Sequence, residues 1–276
     1  MSRIPSRRGK RLRSSAVSIS EVVTMITRER LIEEFALLDE KARLMGSEVI
    51  RLYLIGGGNL ALRGIKPATA DVDVVLEDYR TLRAFEAVLT NPSSELRTSG
   101  GILVYLKVFG HEYEKKLGAD AVYQKIDPEM NNFNLDVFVK RVMRGIQLTE
   151  GMKERAIIPE EFKDLEKLKI HLVSLEDIFL FKGVTSLGRS KDIDDILQLL
   201  EAGIDFDVVL DEVKVQKEAI EPERFERLAD ILLEKMISIQ KILEERGLRS
   251  SGLDKFINSL EELLSELEVS GYGPDT

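Results

Sequence analysis

The sequence predicts an α/β (α+β) fold: a mixed sheet with flanking helices, followed by an all-helical C-terminal domain. Three observations carry this expectation. Up to about residue 145, short runs rich in β-branched and aromatic residues alternate with helical periodicities. From about Gly151 the texture changes, and beyond residue 200 the chain reads as helix. Hydrophobic residues make up 43% of the 276, enough for a core in one large domain or two modest ones. The expected divisions are a basic, disordered tail over 1–20, a core over 21–150 and a helical domain over 151–276.

Thr27 caps a first helix to about Arg43; Leu31, Ile32, Phe35 and Leu38 form its apolar stripe, and Gly46 stops it. Val49–Ile55 reads as a strand that runs into Gly56-Gly57-Gly58. A short helix over Asn59–Arg63 ends at Gly64, and Asp71–Leu76 is the second strand. Asp78 caps a helix to about Leu89. Further strands are expected over Ile102–Val108, Ala121–Ile126 and Phe133–Val139, with another over Leu168–Leu172. Ser174 and Asp177 open a helix to about Leu187, and Ser190 caps one that ends at Gly203. Helices near 207–218, 221–246 and 253–268 follow.

Composition excludes several kinds of chemistry. With no cysteine, disulfides, thiol nucleophiles and cysteine-based metal sites are out. Two histidines, His111 and His171, are too few for a multi-histidine centre. No apolar run reaches the length of a membrane span, and the basic start lacks the apolar stretch of a secretory leader. A cytoplasmic protein with no membrane role is expected. The net charge of −9 is uneven, since residues 201–276 hold 19 acids against nine bases. The first 13 residues carry Arg3, Arg7, Arg8, Lys10, Arg11 and Arg13 and no acid. They read either as a solvated tail or as an arm that touches a polyanion.

The chemistry concentrates between Leu54 and Val75. A strand ending in glycines lets backbone N–H groups approach a ligand closely. A helix starting there turns unpaired N–H groups and a positive dipole end toward an anion. Asp71 and Asp73 then sit at alternate positions of the next strand and point to one face. Two such carboxylates repel unless a cation lies between them, and Mg²⁺ (or Mn²⁺) accepts oxygen ligands shared with substrate phosphates. Neither half of the pattern is specific alone. Together, with residues 59–70 between Gly58 and Asp71, they are.

This pattern resembles the nucleotidyltransferase superfamily typified by DNA polymerase beta: a Gly-Gly turn, a short helix, then Asp-x-Asp on a strand. The wording Gly56-Gly57-Gly58-x-Leu60-Ala61-Leu62-Arg63-Gly64 is similar to small prokaryotic and archaeal members, toxin-type nucleotidyltransferases of toxin–antitoxin pairs included. The resemblance covers roughly residues 50–200. It implies a nucleotidyltransferase-type sheet and a third carboxylate on a later strand, for which Asp136 is the candidate and Asp120 the alternative. It also implies a metal site of Asp71, Asp73 and Asp136, and triphosphate binding by Gly56–Gly58. Asn59 stands where many members carry a hydroxyl, and is expected to bind the nucleotide in its place. Downstream, the Lys182 helix and the Gly188-Arg189-Ser190-Lys191-Asp192 segment match a further family pattern. Lys182 is then a catalytic phosphate contact, with Arg189 and Asp192 at the nucleotide. The implied reaction moves an NMP from an NTP to a hydroxyl of RNA (tRNA among them), a protein or a small molecule.

The same residues have plainer readings. Asp71 and Asp73 suit the surface of an edge strand, and Lys182 the rim of a core helix. Asp192 and Asp195 suit a helix start, while Arg63 and Lys66 suit solvated charges. A non-catalytic nucleotide-binding or interaction protein on the same fold remains the alternative function. A protein partner or a homo-oligomer is compatible with the acidic helical end.

Overall fold

A computed structural model of the chain describes residues 25–92, 97–101, 103–108, 118–125, 133–142, 145–185 and 190–271. The expected tail over 1–20 lies outside the described residues, as do Arg189, His111 and the outer residues Ile102 and Ile126 of two expected strands.

Strand β1 (Ile26–Thr27) leads into helix α1 (Arg28–Leu44), whose start is capped by the Thr27 hydroxyl. Then come β2 (Ile50–Ile55), α2 (Gly56–Leu62), β3 (Ala68–Thr69), β4 (Asp71–Leu76) and α3 (Tyr79–Thr90). Asp78 caps α3 by accepting from the Thr81 N–H at 2.7 Å. Strands β5 (Tyr105–Lys107), β6 (Ala121–Lys125) and β7 (Asn134–Val139) follow, then a small hairpin of β8 (Arg141–Val142) and β9 (Ile146–Gln147). After α4 (Glu150–Arg155), strand β10 (Leu168–Leu172) leads to α5 (Leu175–Gly183). Four more helices complete the chain: α6 (Ser190–Ala202), α7 (Phe206–Ala219), α8 (Pro222–Glu245) and α9 (Ser251–Gly271). The fold is a mixed α/β arrangement with a helical C-terminal part, as the sequence predicts.

Six strands form one sheet in the order β10-β2-β4-β7-β6-β5. β10 runs parallel to β2, and β4 parallel to β7; the other pairs are antiparallel. Here the structure departs from the expected division at residue 150, because β10 lies past it and still belongs to the sheet. Its alternation of buried Leu168, Ile170 and Leu172 with half-buried neighbours lets it close one edge. A second departure concerns the glycines, which belong to the first turn of α2 instead of preceding it.

Side chains of period two separate the faces of the sheet. Leu52, Leu54, Val74, Leu76, Leu135 and Val137 pack with Leu31, Phe35 and Leu38 of α1 and Phe85 of α3. Tyr53, Ile55, Val75 and Phe138 face the other way, into a core continuous with Phe179, Leu232 and Phe256 of the helical part. Arg155 ties that part together, with Nη2 donating to Asp177 on α5 and Glu212 on α7, both at 2.6 Å. Among the described residues, no helix is long and apolar enough to cross a membrane.

Lys41 of α1 is buried on the outer face and donates to the carbonyls of Leu89 and Leu103. Burial pulls its ammonium down from 10.5 to about 8. Between those values the unfolded chain holds the proton more tightly than the folded one. Stability from this site is therefore lowest below pH 8 and grows as pH rises toward 10.5. The melting temperature of Lys41→Met minus that of wild type should accordingly fall as pH goes from 7 to 10. A difference that stays flat in thermal melts would show that the buried amine does not titrate in this range.

Candidate active site

Asp73 and Asp136 are direct partners in the parallel β4–β7 pair, and Asp71 stands opposite Asn134 two positions earlier. In register, parallel neighbours point to the same side. Asp71 and Asp73 share a face with Val75, and Asp136 shares one with Phe138, so all three acids face the helical part. They line one cleft of about 440 Å³ between sheet and helices, within the usual size of a small-molecule site, roughly 300–1,000 Å³. The structure thus brings together the three carboxylates that the sequence singled out.

Asp136 is 3% exposed, and its Oδ1 is buried without a hydrogen-bond partner. Burial first, then the charges of Asp73 and Asp71, push its carboxyl up to about 8. An unpartnered buried oxygen among like charges is costly unless a cation or a proton joins it. A divalent ion that takes carboxylates and completes its shell with phosphate would supply such a cation. Among the described residues no cluster of three or more acids or histidines forms a ready-made metal cage. Asp120, the alternative third acid, is committed elsewhere. Its Oδ1 accepts from the Tyr79 hydroxyl at 2.7 Å and its Oδ2 from the Val139 N–H at 2.8 Å.

The glycines divide by role. Gly56 has φ +62°, and a Cβ there would collide with Oδ2 of Asp73. Only glycine meets both demands at low cost. A Cβ at Gly57 would collide with the Thr69 hydroxyl. Both residues line the cleft. Gly58 does not; the space around it is ordinary, bounded by Leu54 and Val72. Asn59 is a correction to the expected ligand set. It is fully buried, with Nδ2 donating to the carbonyls of Leu54 at 2.8 Å and Val173 at 3.1 Å. Its Oδ1 accepts from Arg63 Nε at 2.9 Å. With its polar atoms so engaged, Asn59 splices the glycine helix to the end of β10. Arg63 joins it, donating from Nη2 to the Val173 carbonyl at 2.9 Å, and is not the solvated charge that the sequence suggested.

The opposite wall carries lysines and acids. Lys182 Nζ lies 2.8 Å from Asp192 Oδ1 and 2.9 Å from Asp195 Oδ2. Asp195 Oδ1 also pairs with Lys66 at 2.7 Å. Burial alone would lower the Lys182 pKa, but Asp192 and Asp195 together outweigh it, and the ammonium is held above its ordinary value. Lys182, Asp192 and Asp195 all line the cleft, and so does Lys66, which sequence reasoning set aside as solvated. Phe138, Val142, Ile178 and Phe181 give the cleft an apolar side. His171 lies away from it, stacked on Tyr53 with ring centroids 4.9 Å apart. No family model matches the chain, and no curated protein matches it.

Two outcomes follow from the crowding. Gly56→Ala should cost about 1–3 kcal/mol in urea unfolding, through strain at positive φ and the clash with Asp73. In EDTA, Asp73→Asn should melt above wild type, by about 1 kcal/mol at pH 9. A raised carboxyl pKa means that the folded state binds the proton more tightly. Metal-free stability therefore falls as pH rises from 3.8 toward 8. The advantage of the variant should fade near pH 6, where Asp136 keeps its proton. Identical melts of variant and wild type at pH 9 would show that these carboxylates do not share a field.

Proposed function

We propose that the chain is a metal-dependent nucleotidyltransferase. It moves an NMP from an NTP to a hydroxyl acceptor and releases pyrophosphate. The observation that carries this reading is the register of Asp73 against Asp136, with Asp71 on the same face, beside a glycine turn that opens into the same cleft.

Asp71, Asp73 and Asp136 would hold Mg²⁺ or Mn²⁺. When bound, such ions neutralise triphosphate charge and lower the pKa of an attacking hydroxyl. Gly56 and Gly57, bare of side chains, let the phosphates lie against the backbone. The apolar side at Phe138 and Phe181 excludes water from the sugar and base. The acceptor oxygen forms a bond to the α-phosphorus while the bond from that phosphorus to the pyrophosphate oxygen breaks. The hydroxyl proton passes to water or to a carboxylate of the cleft as the new bond forms. Most of the rate gain would come from positioning and electrostatics. The acceptor is RNA, a protein or a small molecule, and a cysteine-free, charge-rich chain suits the cytoplasm.

The test is incubation with each α-³²P-labelled NTP and Mg²⁺ or Mn²⁺ in cell extract, following label into macromolecules and small products. One NTP should label one class of acceptor. Asp73→Asn and Asp136→Asn should cut labelling by at least about 100-fold, since loss of a direct ligand exceeds the usual effect of an outer-shell partner. No label from any of the four NTPs would overturn the proposal.

A further inference from the structure

The stretch from Gly56 to Asp71 carries more than the glycine turn and the first carboxylate. Lys66, in the connection from α2 to β3, reaches back toward the turn. Its Nζ lies 4.0 Å from where a Cβ of Gly57 would be. The side chain is 22% exposed and lines the cleft, whereas its partner Asp195 is 3% exposed. An ammonium has three donors. Among the described residues, Asp195 is the one hydrogen-bond acceptor that Lys66 meets. That leaves donors of the ammonium for a ligand in the cleft.

Lys182 is placed differently. Its ammonium is 14% exposed and engages both Asp192 and Asp195. Releasing Lys182 to a phosphate would take its ammonium from two carboxylates that are almost fully buried. Lys66 faces no such conflict, because Asp195 stays paired with Lys182 whatever Lys66 does. Asp194 lines the cleft as well, so acids outnumber the two lysines here, and Lys66 is the less engaged of the two cations.

We propose that Lys66 is the side chain that grips the triphosphate tail in this cleft, with Asp195 as the positioning residue that holds it beside Gly57 and with Lys182 as the anchor of Asp195. The identity of the anion rests on the nucleotidyltransferase reading; the grip itself does not need transfer to occur. A phosphate oxygen lying against the Gly57 backbone would be within reach of the Lys66 ammonium, which bonds it as a point charge. Lys182, expected from sequence to touch phosphate, then acts one step behind.

The experiment is calorimetric titration of the full chain with inorganic triphosphate in excess Mg²⁺ at constant ionic strength, with melts to verify folding. Lys66→Met should weaken binding by about tenfold or more, the value of a charge-assisted hydrogen bond. Lys66→Arg should restore most of it. Asp195→Asn removes the competing carboxylate but keeps an oxygen for Lys66, and should bind triphosphate more tightly than wild type. Wild-type protein that binds no triphosphate, or folded Lys66→Met that binds as wild type does, overturns the proposal. If Lys66→Met does not fold, Asp195→Asn decides, since equal or weaker binding there overturns it as well. Failure of the transfer assay with Lys66-dependent triphosphate binding would remove the nucleotidyltransferase reading and leave this grip standing. Transfer that persists with Lys66-independent binding would do the reverse.

Discussion

Two carboxylates held side by side in a parallel strand pair set the terms for the rest of this molecule. Asp73 and Asp136 are in register on neighbouring strands, and the strand direction leaves neither able to turn to the other face. A one-residue slip of either strand would aim its acid into the core packed under α1 and α3. The apolar residues on either side, Val72, Val74, Leu135 and Val137, make that slip prohibitive. The register is thus locked by hydrophobic burial on one face, and it produces electrostatic strain on the other. Gly56 belongs to the same constraint, since its missing side chain is the room that Asp73 occupies.

The cleft has two poles with opposite logic. At the sheet, acids crowd together and one buried oxygen is without a partner. Across the cleft, Lys182 of α5 and Lys66 of the α2–β3 connection pair with Asp192 and Asp195 of α6, beside Asp194. A buried ion pair adds little net stability over a well-packed apolar pair, because desolvation offsets the attraction. Placing four charges at the second pole makes better sense as the fixing of one ammonium than as a source of stability. The first pole is the reverse case: it is unfavourable as it stands and favourable only with a cation or a proton.

Much of this was legible in the sequence because it is local. Thr27, Asp78 and Ser174 cap helices through hydrogen bonds spanning three residues, and each is a short-range pattern. Asp71 and Asp73 declare their common face by spacing alone. The third acid was harder. Asp136 and Asp120 are both near strand residues, and only the pairing of strands shows that one faces the cleft while the other is spent on Tyr79 and Val139. Asn59 was misread for the same reason, since its partner Val173 is 114 residues away. Lys66 looked solvated because Asp195, 129 residues on, gives it its place. Strand β10 was recognised as a strand, but nothing in its five residues says that it pairs with β2 and carries the sheet past residue 150.

That last pairing explains why the helical wall stands where it does. β2 and β10 run parallel as neighbours, and each feeds a helix at the same end of the sheet: α2 directly after Ile55, and α5 after the two residues Val173 and Ser174. The two helix starts are then sewn together. Val173 N–H donates to the Leu54 carbonyl, and the Val173 carbonyl receives both Asn59 and Arg63. Lys182 follows two turns along α5, at a distance from the glycine turn fixed by helix rise and not by a flexible linker. A long linker between sheet and helices would have let the lysine wall drift relative to the carboxylates. The short, hydrogen-bonded crossing instead makes the spacing of the two poles a property of the sheet itself, and an Asn at position 59 serves that spacing where a hydroxyl facing the cleft would not.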